Sequence, residues 1–311
     1  MNSIIITGAN SGIGYECALQ MAKTAPNEQL IIACRNVHSG NEAIQSIQKK
    51  TGHQHLKCIP LDLASLKSIA SFKETFSKEK NNRIVALVNN AGIQNIGETK
   101  YTSDGFEETF GVNHLGPFYL TLLLLPLMAK DASITFTASG THDPAQKTGM
   151  PPPVFKEAGL LAHPEKSTEK ALTVGQRRYT TSKLCNVMTV YELQNHLDQT
   201  NIRVNAFDPG LVPGTGLARN YPPFLKFISD KIFPVLILFL HNVNSAKTSG
   251  TNLANLAYAD EYKQFKGKYF EGAKAIPSSQ DSYNKEYQVD LWKTSVELTH
   301  LKQEDTSITL V

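Results

Sequence analysis

An apolar, β-branched run at residues 3–7 passes without a break into Gly8-Ala9-Asn10-Ser11-Gly12-Ile13-Gly14, and then into a helical pattern through Ala22. A strand, a glycine turn and a helix in immediate succession leave few folds open. In an α/β sheet of this kind Gly8 permits the tight turn and Gly12 lets the backbone approach a pyrophosphate. Gly14 allows close helix–strand packing, with the helix N-terminus directed at the phosphates. The spacing is GxxxGxG rather than the commoner GxGxxG. A glycine-rich turn by itself can be only a turn, but at a strand-to-helix junction it points to dinucleotide binding.

The alternation then repeats. A second strand over 29–34 ends at Cys34-Arg35-Asn36. An acid at such a strand end suits the ribose hydroxyls of NAD, whereas an arginine suits a 2′-phosphate, so Arg35 favours NADP(H); the plain alternative is a surface charge beside a strand end. A third strand over 56–61 ends at Asp62, placed to accept from an adenine amino group. A fourth over 84–88 runs into Asn89-Asn90-Ala91-Gly92. Ligands of open α/β sheets lie beyond the carboxyl ends of the strands, where these polar and glycine residues fall. Helical stretches at 37–50 and 66–80 imply a parallel sheet with right-handed crossovers.

A helical stretch over 106–129 carries Asn113 and an apolar run at 120–128 that is too short to span a bilayer. It is read as core or subunit interface. A fifth strand over 133–138 delivers Ser139, and a sixth over 203–207 ends in Asp208-Pro209-Gly210. Helices at 244–258 and 290–301, the latter with Trp292, and a last short strand at 268–270 complete the pattern. The expected fold is one α/β domain over 1–311, Rossmann-type and doubly wound, with a mostly parallel seven-stranded sheet and helices on both faces. Residues 140–178 form a long, proline-marked loop of the length that binding loops and lids have. Residues 211–241 form a substrate-side segment, whose run at 232–240 is read as a buried helix or greasy substrate wall in preference to a membrane contact.

Composition narrows the partners. Thirty-one basic and 28 acidic residues give a net charge of +3, with the basic residues scattered, which argues against nucleic-acid binding. The four cysteines (Cys17, Cys34, Cys58, Cys185) form no CxxC pair and suit reduced thiols better than a disulfide framework or a zinc site. The first apolar run begins almost at Met1, with no room for a secretory leader, so a cytoplasmic protein is expected.

The candidate chemistry lies in Tyr179-Thr180-Thr181-Ser182-Lys183. Four residues apart on a helix, Tyr179 and Lys183 share one face, and an ammonium beside a phenol favours the phenolate. Such a pair alone is usually a solvated helix face. Its weight comes from the company it keeps.

Taken together, Thr7-Gly8-x-x-x-Gly12-Ile13-Gly14, Asp62-Leu63, Asn89-Asn90-Ala91-Gly92, Asn113, Ser139, Tyr179-x-x-x-Lys183 and Pro209-Gly210 resemble, in order, the short-chain dehydrogenase/reductase family. Val112-Asn113-His114-Leu115-Gly116, Ser182-Lys183-Leu184-Cys185-Asn186 and Leu291-Trp292 look like its branch of retinol dehydrogenases and light-dependent protochlorophyllide oxidoreductases. The long Ser139–Tyr179 gap and the run Pro209-Gly210-x-Val212-x-x-Thr215-x-Leu217-x-Arg219-Asn220 look like the latter. Two positions depart from it: Leu211 stands where those enzymes carry a functional cysteine, and Ser139 where they tend to have threonine.

The resemblance implies NADP(H) bound by Gly8, Asn10, Ser11, Gly12, Ile13, Gly14, Arg35, Asp62, Leu63, Asn90, Ala91, Gly92, Tyr179, Lys183, Pro209, Gly210, Val212 and Thr215. It implies Tyr179 as proton donor, Lys183 as its partner and a ribose contact, Ser139 as hydrogen-bond donor to a substrate carbonyl, and Asn113 as support for Lys183. No metal is required. Three functions are implied, in order of preference: NADPH-dependent reduction of a bulky apolar ketone or aldehyde, reduction of a tetrapyrrole carbon–carbon double bond, and idle NADP binding. Monomer and homodimer both remain open.

Overall fold

The computed structural model describes residues 1–78, 82–214 and 242–310. Thr215 and the run at 232–240 lie outside them. The first half alternates as β1 (Ser3–Thr7), α1 (Gly12–Thr24), β2 (Gln29–Cys34), α2 (Val37–Thr51), β3 (Leu56–Pro60), α3 (Leu66–Ser77) and β4 (Ile84–Asn89). Then come the short α4 (Glu108–Phe110), a π-helical turn at Gly111–Leu115, α5 (Gly116–Leu124) and β5 (Met128–Thr137). The second half holds α6 (Ala158–Ala162), α7 (Ala171–His196), β6 (Arg203–Asp208), α8 (Ala246–Tyr258), β7 (Lys268–Glu271), β8 (Lys274–Ile276) and α9 (Lys285–Leu298).

The strands form one sheet in the order β3-β2-β1-β4-β5-β6-β7-β8. Every neighbouring pair is parallel except β7–β8, which is antiparallel. The expected seven strands are thus joined by an eighth: Lys274–Ile276 is too short and too exposed to show any alternation.

Period-2 alternation divides β1 between two cores. Ile5 joins a cluster with Phe72 and Phe76 of α3, Phe118 and Leu120 of α5, and Val187 and Val190 of α7. Ile4 and Ile6 face the other way, against Cys17 and Met21 of α1, Ile47 of α2 and Leu253 and Ala254 of α8. All three isoleucines are fully buried, each contributing roughly 1.5–3 kcal/mol. Helices therefore cover both faces, and the strand order reverses between β1 and β4. That reversal opens the crevice in which such sheets bind ligands.

Two sequence expectations change here. The stretch read as one helix over 106–129 is broken into α4, the π-turn, α5 and a 3₁₀ turn at Leu125–Leu127, and β5 begins at Met128 instead of residue 133. Met128 pairs with Ile84, and the register shifts between Ile84 and Ala86, where the exposed Lys130 and Asp131 bulge outward. Glu108–Leu127 has the length and apolarity of a membrane span, yet 78% of its most apolar window is buried inside the protein, so it is core. The region 140–178 is also more ordered than a loop: 3₁₀ turns follow Ser139, and α7 starts eight residues before Tyr179.

Cys34 and Cys58, distant in sequence, come together on adjacent strands with their sulfurs 3.9 Å apart. Gly40 of α2 lies over them, where a Cβ would sit 2.5 Å from the Cys58 sulfur.

Candidate active site

The glycine turn has the backbone its sequence foretold. Gly8 and Gly12 adopt φ of 68° and 58°, in the region that favours glycine. Gly14 is pressed against Gly8: a Cβ there would lie 2.6 Å from the Gly8 carbonyl oxygen and 2.5 Å from Asn90 Nδ2. Ser11 is the N-cap of α1 but its side chain makes no capping bond, so the first amides of α1 remain for an anionic ligand. An uncapped helix N-terminus at the switch point, behind glycines with no room for side chains, fits the pyrophosphate of a dinucleotide.

The described residues around it make contacts of their own. The Thr7 hydroxyl oxygen accepts from the amides of Asn90 at 2.9 Å and Ala91 at 3.0 Å, and Asn90 Nδ2 donates to the Thr7 carbonyl at 2.9 Å. These bonds clip the turn after β4 to the end of β1. The Asn90 side chain is therefore a structural tie, and a cofactor would meet the backbone here. Asn10 Nδ2 donates to Ser39 Oγ at 3.2 Å, tying the glycine turn to α2. Arg35 is exposed directly after β2, beside Asn36, which caps α2 by accepting from the Ser39 amide. The Asp62 carboxylate, half-buried, accepts from the Ala64 amide at 3.0 Å. Leu63 and Val212 are buried, and Ile13 packs against the core beneath the turn. The side chain of Leu63 belongs to the core on the other face of the sheet, with Phe72 and Phe118, and only its backbone is left for a ligand.

Tyr179 and Lys183 stand one turn apart on α7, with the Lys183 ammonium 5.5 Å from the Tyr179 ring centroid. Lys183 is almost wholly buried, and its Nζ donates to the Thr137 carbonyl at 2.9 Å. Burial pushes its pKa down to about 8, against an opposing pull from the Asp208 carboxylate. Asn113 sits in the π-turn, where the carboxamide oxygen accepts from the Ile93 amide at 2.7 Å and Nδ2 donates to the Ile93 carbonyl at 2.9 Å and to Ser182 Oγ at 3.0 Å. A Cβ on Gly92 would lie 3.2 Å from Asn113 Oδ1 and 3.6 Å from Lys183 Nζ. Glycine at 92 thus lets the end of β4, the π-turn and α7 converge.

Ser139 follows β5, two residues beyond the carbonyl that holds Lys183. Its oxygen accepts from the Thr141 amide at 3.3 Å and from the Thr141 hydroxyl at 3.1 Å. Both bonds are given to the oxygen, so the Ser139 proton remains to be donated.

Three residues here had no role assigned from the sequence. Thr141 polarises Ser139. His142 Nδ1 lies 2.7 Å from the Ser139 carbonyl, while its Nε2 lies 3.2 Å from the Ser279 amide. Nδ1 must donate and Nε2 accept, which defines a neutral imidazole, and burial lowers its pKa accordingly. The third is Asp208 at the end of β6. Its one signal was an acid at the close of an apolar strand, where burial demands partners. Cys185 packs with Phe106, Leu184, Met188 and Leu291, and burial raises its pKa, so it is a small apolar core residue.

Comparison with known proteins agrees with the fold. Residues 2–149 match the family model described as short chain dehydrogenase, and residues 218–308 match an AcuH dehydrogenase domain. Retinol dehydrogenase 13 of Homo sapiens is 33% identical, over 96% of this chain and 85% of that protein. Retinol dehydrogenase 12 of Mus musculus is 32% identical, over 97% and 87%. Among solved structures, an angucycline C-6 ketoreductase with bound NADP superposes with a TM-score of 0.63 at 18% identity, covering 88% of this chain and 95% of that one.

Proposed function

This chain belongs to the short chain dehydrogenase family and is an oxidoreductase, and on that premise we propose that it reduces the carbonyl of a bulky apolar ketone or aldehyde with NADPH. Ser139 carries the reading: a hydroxyl that receives two donors and keeps its own proton, on the strand whose Thr137 carbonyl anchors Lys183. Relatives named as retinol dehydrogenases support a large, apolar substrate. The nicotinamide supplies the hydride. Ser139 donates to the carbonyl oxygen as negative charge gathers there, and Tyr179 gives that oxygen its proton. Lys183 keeps a positive charge over the Tyr179 ring, and Asn113, pinned by Ile93, braces the same helix through Ser182.

Arg35, exposed after β2, is the group that meets a 2′-phosphate in this reading. NADPH is expected to bind about 10- to 100-fold more tightly than NADH, roughly the strength of one charge-assisted contact. Arg35→Ala should erase most of that preference. Equal affinities for the two cofactors in the wild-type protein would defeat the NADPH assignment.

The reaction is tested by following NADPH consumption in the dark over a panel of bulky ketones and aldehydes, beside pigment absorbance before and after a flash. At least one carbonyl should be reduced, with turnover falling about 10²-fold in Ser139→Ala. Protochlorophyllide should be unchanged by light, because Leu211, whose backbone pairs with Asn242 and Asn244, has a side chain that can neither donate a proton nor hydrogen-bond a pigment. Conversion of the pigment only after the flash, with no carbonyl reduced, would replace this reading by the double-bond one. Tight NADPH binding with neither reaction would point to an idle binding protein.

A further inference from the structure

Asp208 closes β6 with a side chain 1% exposed, and the described groups hydrogen-bonded to its carboxylate are donors. The Gly210 amide donates to Oδ1 at 2.9 Å, while the Tyr269 hydroxyl at 3.1 Å and Asn242 Nδ2 at 3.2 Å donate to Oδ2. Burial pushes the Asp208 pKa up, and these three donors together with the Gly140 amide oppose that rise. A protonated acid would need an acceptor for its own proton, whereas a carboxylate uses every one of these donors.

The partners are scattered in sequence but not in role. Gly140 directly follows Ser139, and a Cβ on it would lie 3.0 Å from Asp208 Oδ2. Gly210 belongs to the Pro209–Gly210 turn at the end of β6. Tyr269, on β7, packs its ring tilted against that of His142 at 4.7 Å between centroids, and His142 Nδ1 donates to the Ser139 carbonyl. One carboxylate thus holds the turn after Ser139 directly and, through Tyr269 and His142, its backbone. The Asp208 charge opposes the lowering of the Lys183 pKa by burial, although the Lys183 ammonium bonds to Thr137.

We propose that Asp208 is a positioning residue of this site: its carboxylate holds the turns carrying Ser139 and Pro209–Gly210 in place. The proposal rests on the reading of Ser139 as the hydrogen-bond donor to the substrate carbonyl. Among the described residues, the other charged or titratable groups near this carboxylate are Lys183 from α7, His142 and Asp143 from the turn after β5, and Tyr269 and Glu271 from β7.

The test is kcat beside a cofactor titration and backbone hydrogen exchange, with the full-length chain. Asp208→Asn, which keeps the shape but replaces one acceptor by a donor, should lower kcat about 10-fold by displacing the Ser139 turn, while cofactor affinity stays within about threefold. Combined with Ser139→Ala it should lower kcat little further, because both changes act through one hydroxyl. The amides of residues 140–142 should exchange faster in Asp208→Asn than in the wild type. A folded Asp208→Asn protein with wild-type kcat and unchanged exchange, or fully additive losses in the double variant, would overturn the proposal. If Asp208→Asn fails to fold, Asp208→Glu, which keeps the charge but moves the carboxylate, is read by the same additivity and exchange. Absence of carbonyl reduction in the wild type would refute the assigned reaction, while the exchange rates still test Asp208.

Discussion

Tyr179→Phe is expected to lower turnover by about 10³-fold while cofactor affinity stays within about twofold of the wild type. The substitution removes one hydroxyl from a ring that is 7% exposed and well packed, so the helix and the Lys183 ammonium over that ring keep their places. What is lost is proton donation, an effect of roughly 10²–10⁴ when the donor is positioned on the reacting oxygen. Cys185 cannot take over, because it lies in a separate apolar cluster with a thiol made less acidic by burial. The measurement is kcat with the best carbonyl substrate, beside a cofactor titration. Turnover retained to within tenfold would mean that the proton comes from elsewhere.

Lys183→Met is expected to cost about as much turnover, about 10³-fold, but with two further signatures. Cofactor affinity should fall roughly 10-fold, the strength of one charge-assisted contact. The protein should also become more resistant to thermal unfolding at neutral pH. Burial lowers the Lys183 pKa from 10.5 to about 8, so the folded state disfavours the ammonium relative to the unfolded chain. That penalty, of order a few kcal/mol, is fully present below about pH 8 and fades as pH rises toward the unfolded value. Methionine fills similar space without a charge, so a folding cost held for function is removed while the bond to Thr137 is forfeited. Melting curves at neutral and alkaline pH check the sign. The stability gain should shrink as the pH is raised, and a variant less stable than the wild type at neutral pH would show that Lys183 is held for structure.

Much of the fold was legible because its signals are local. The buried run of β1, the positive-φ glycines after it and the strand–helix alternation through β4 all depend on residues within a few positions of one another. The Tyr179–Lys183 spacing is a helical fact of the same kind. Element ends were less legible: α9 begins at Lys285 and not near residue 290, since its start is set by the Asn284 cap and not by apolar periodicity.

Other features needed the chain to come together first. The π-turn that carries Asn113 depends on Ile93 and Ser182, and the early start of β5 on a pairing between Met128 and Ile84. The task of Asn90 shows only when Thr7 lies beside it, and the meeting of Cys34 with Cys58 only when β2 and β3 are paired. Asp208 is the clearest case. The sequence by itself marked it as an acid before Pro-Gly, while its donors beyond the local Gly210 come from residues 140, 242 and 269, brought to it only by the folded chain. Periodicity and turn chemistry act over a few residues and determined the elements here. The partner of a buried charge is chosen by desolvation, which rejects every packing that leaves the charge unmet, and that choice exists only in the tertiary structure.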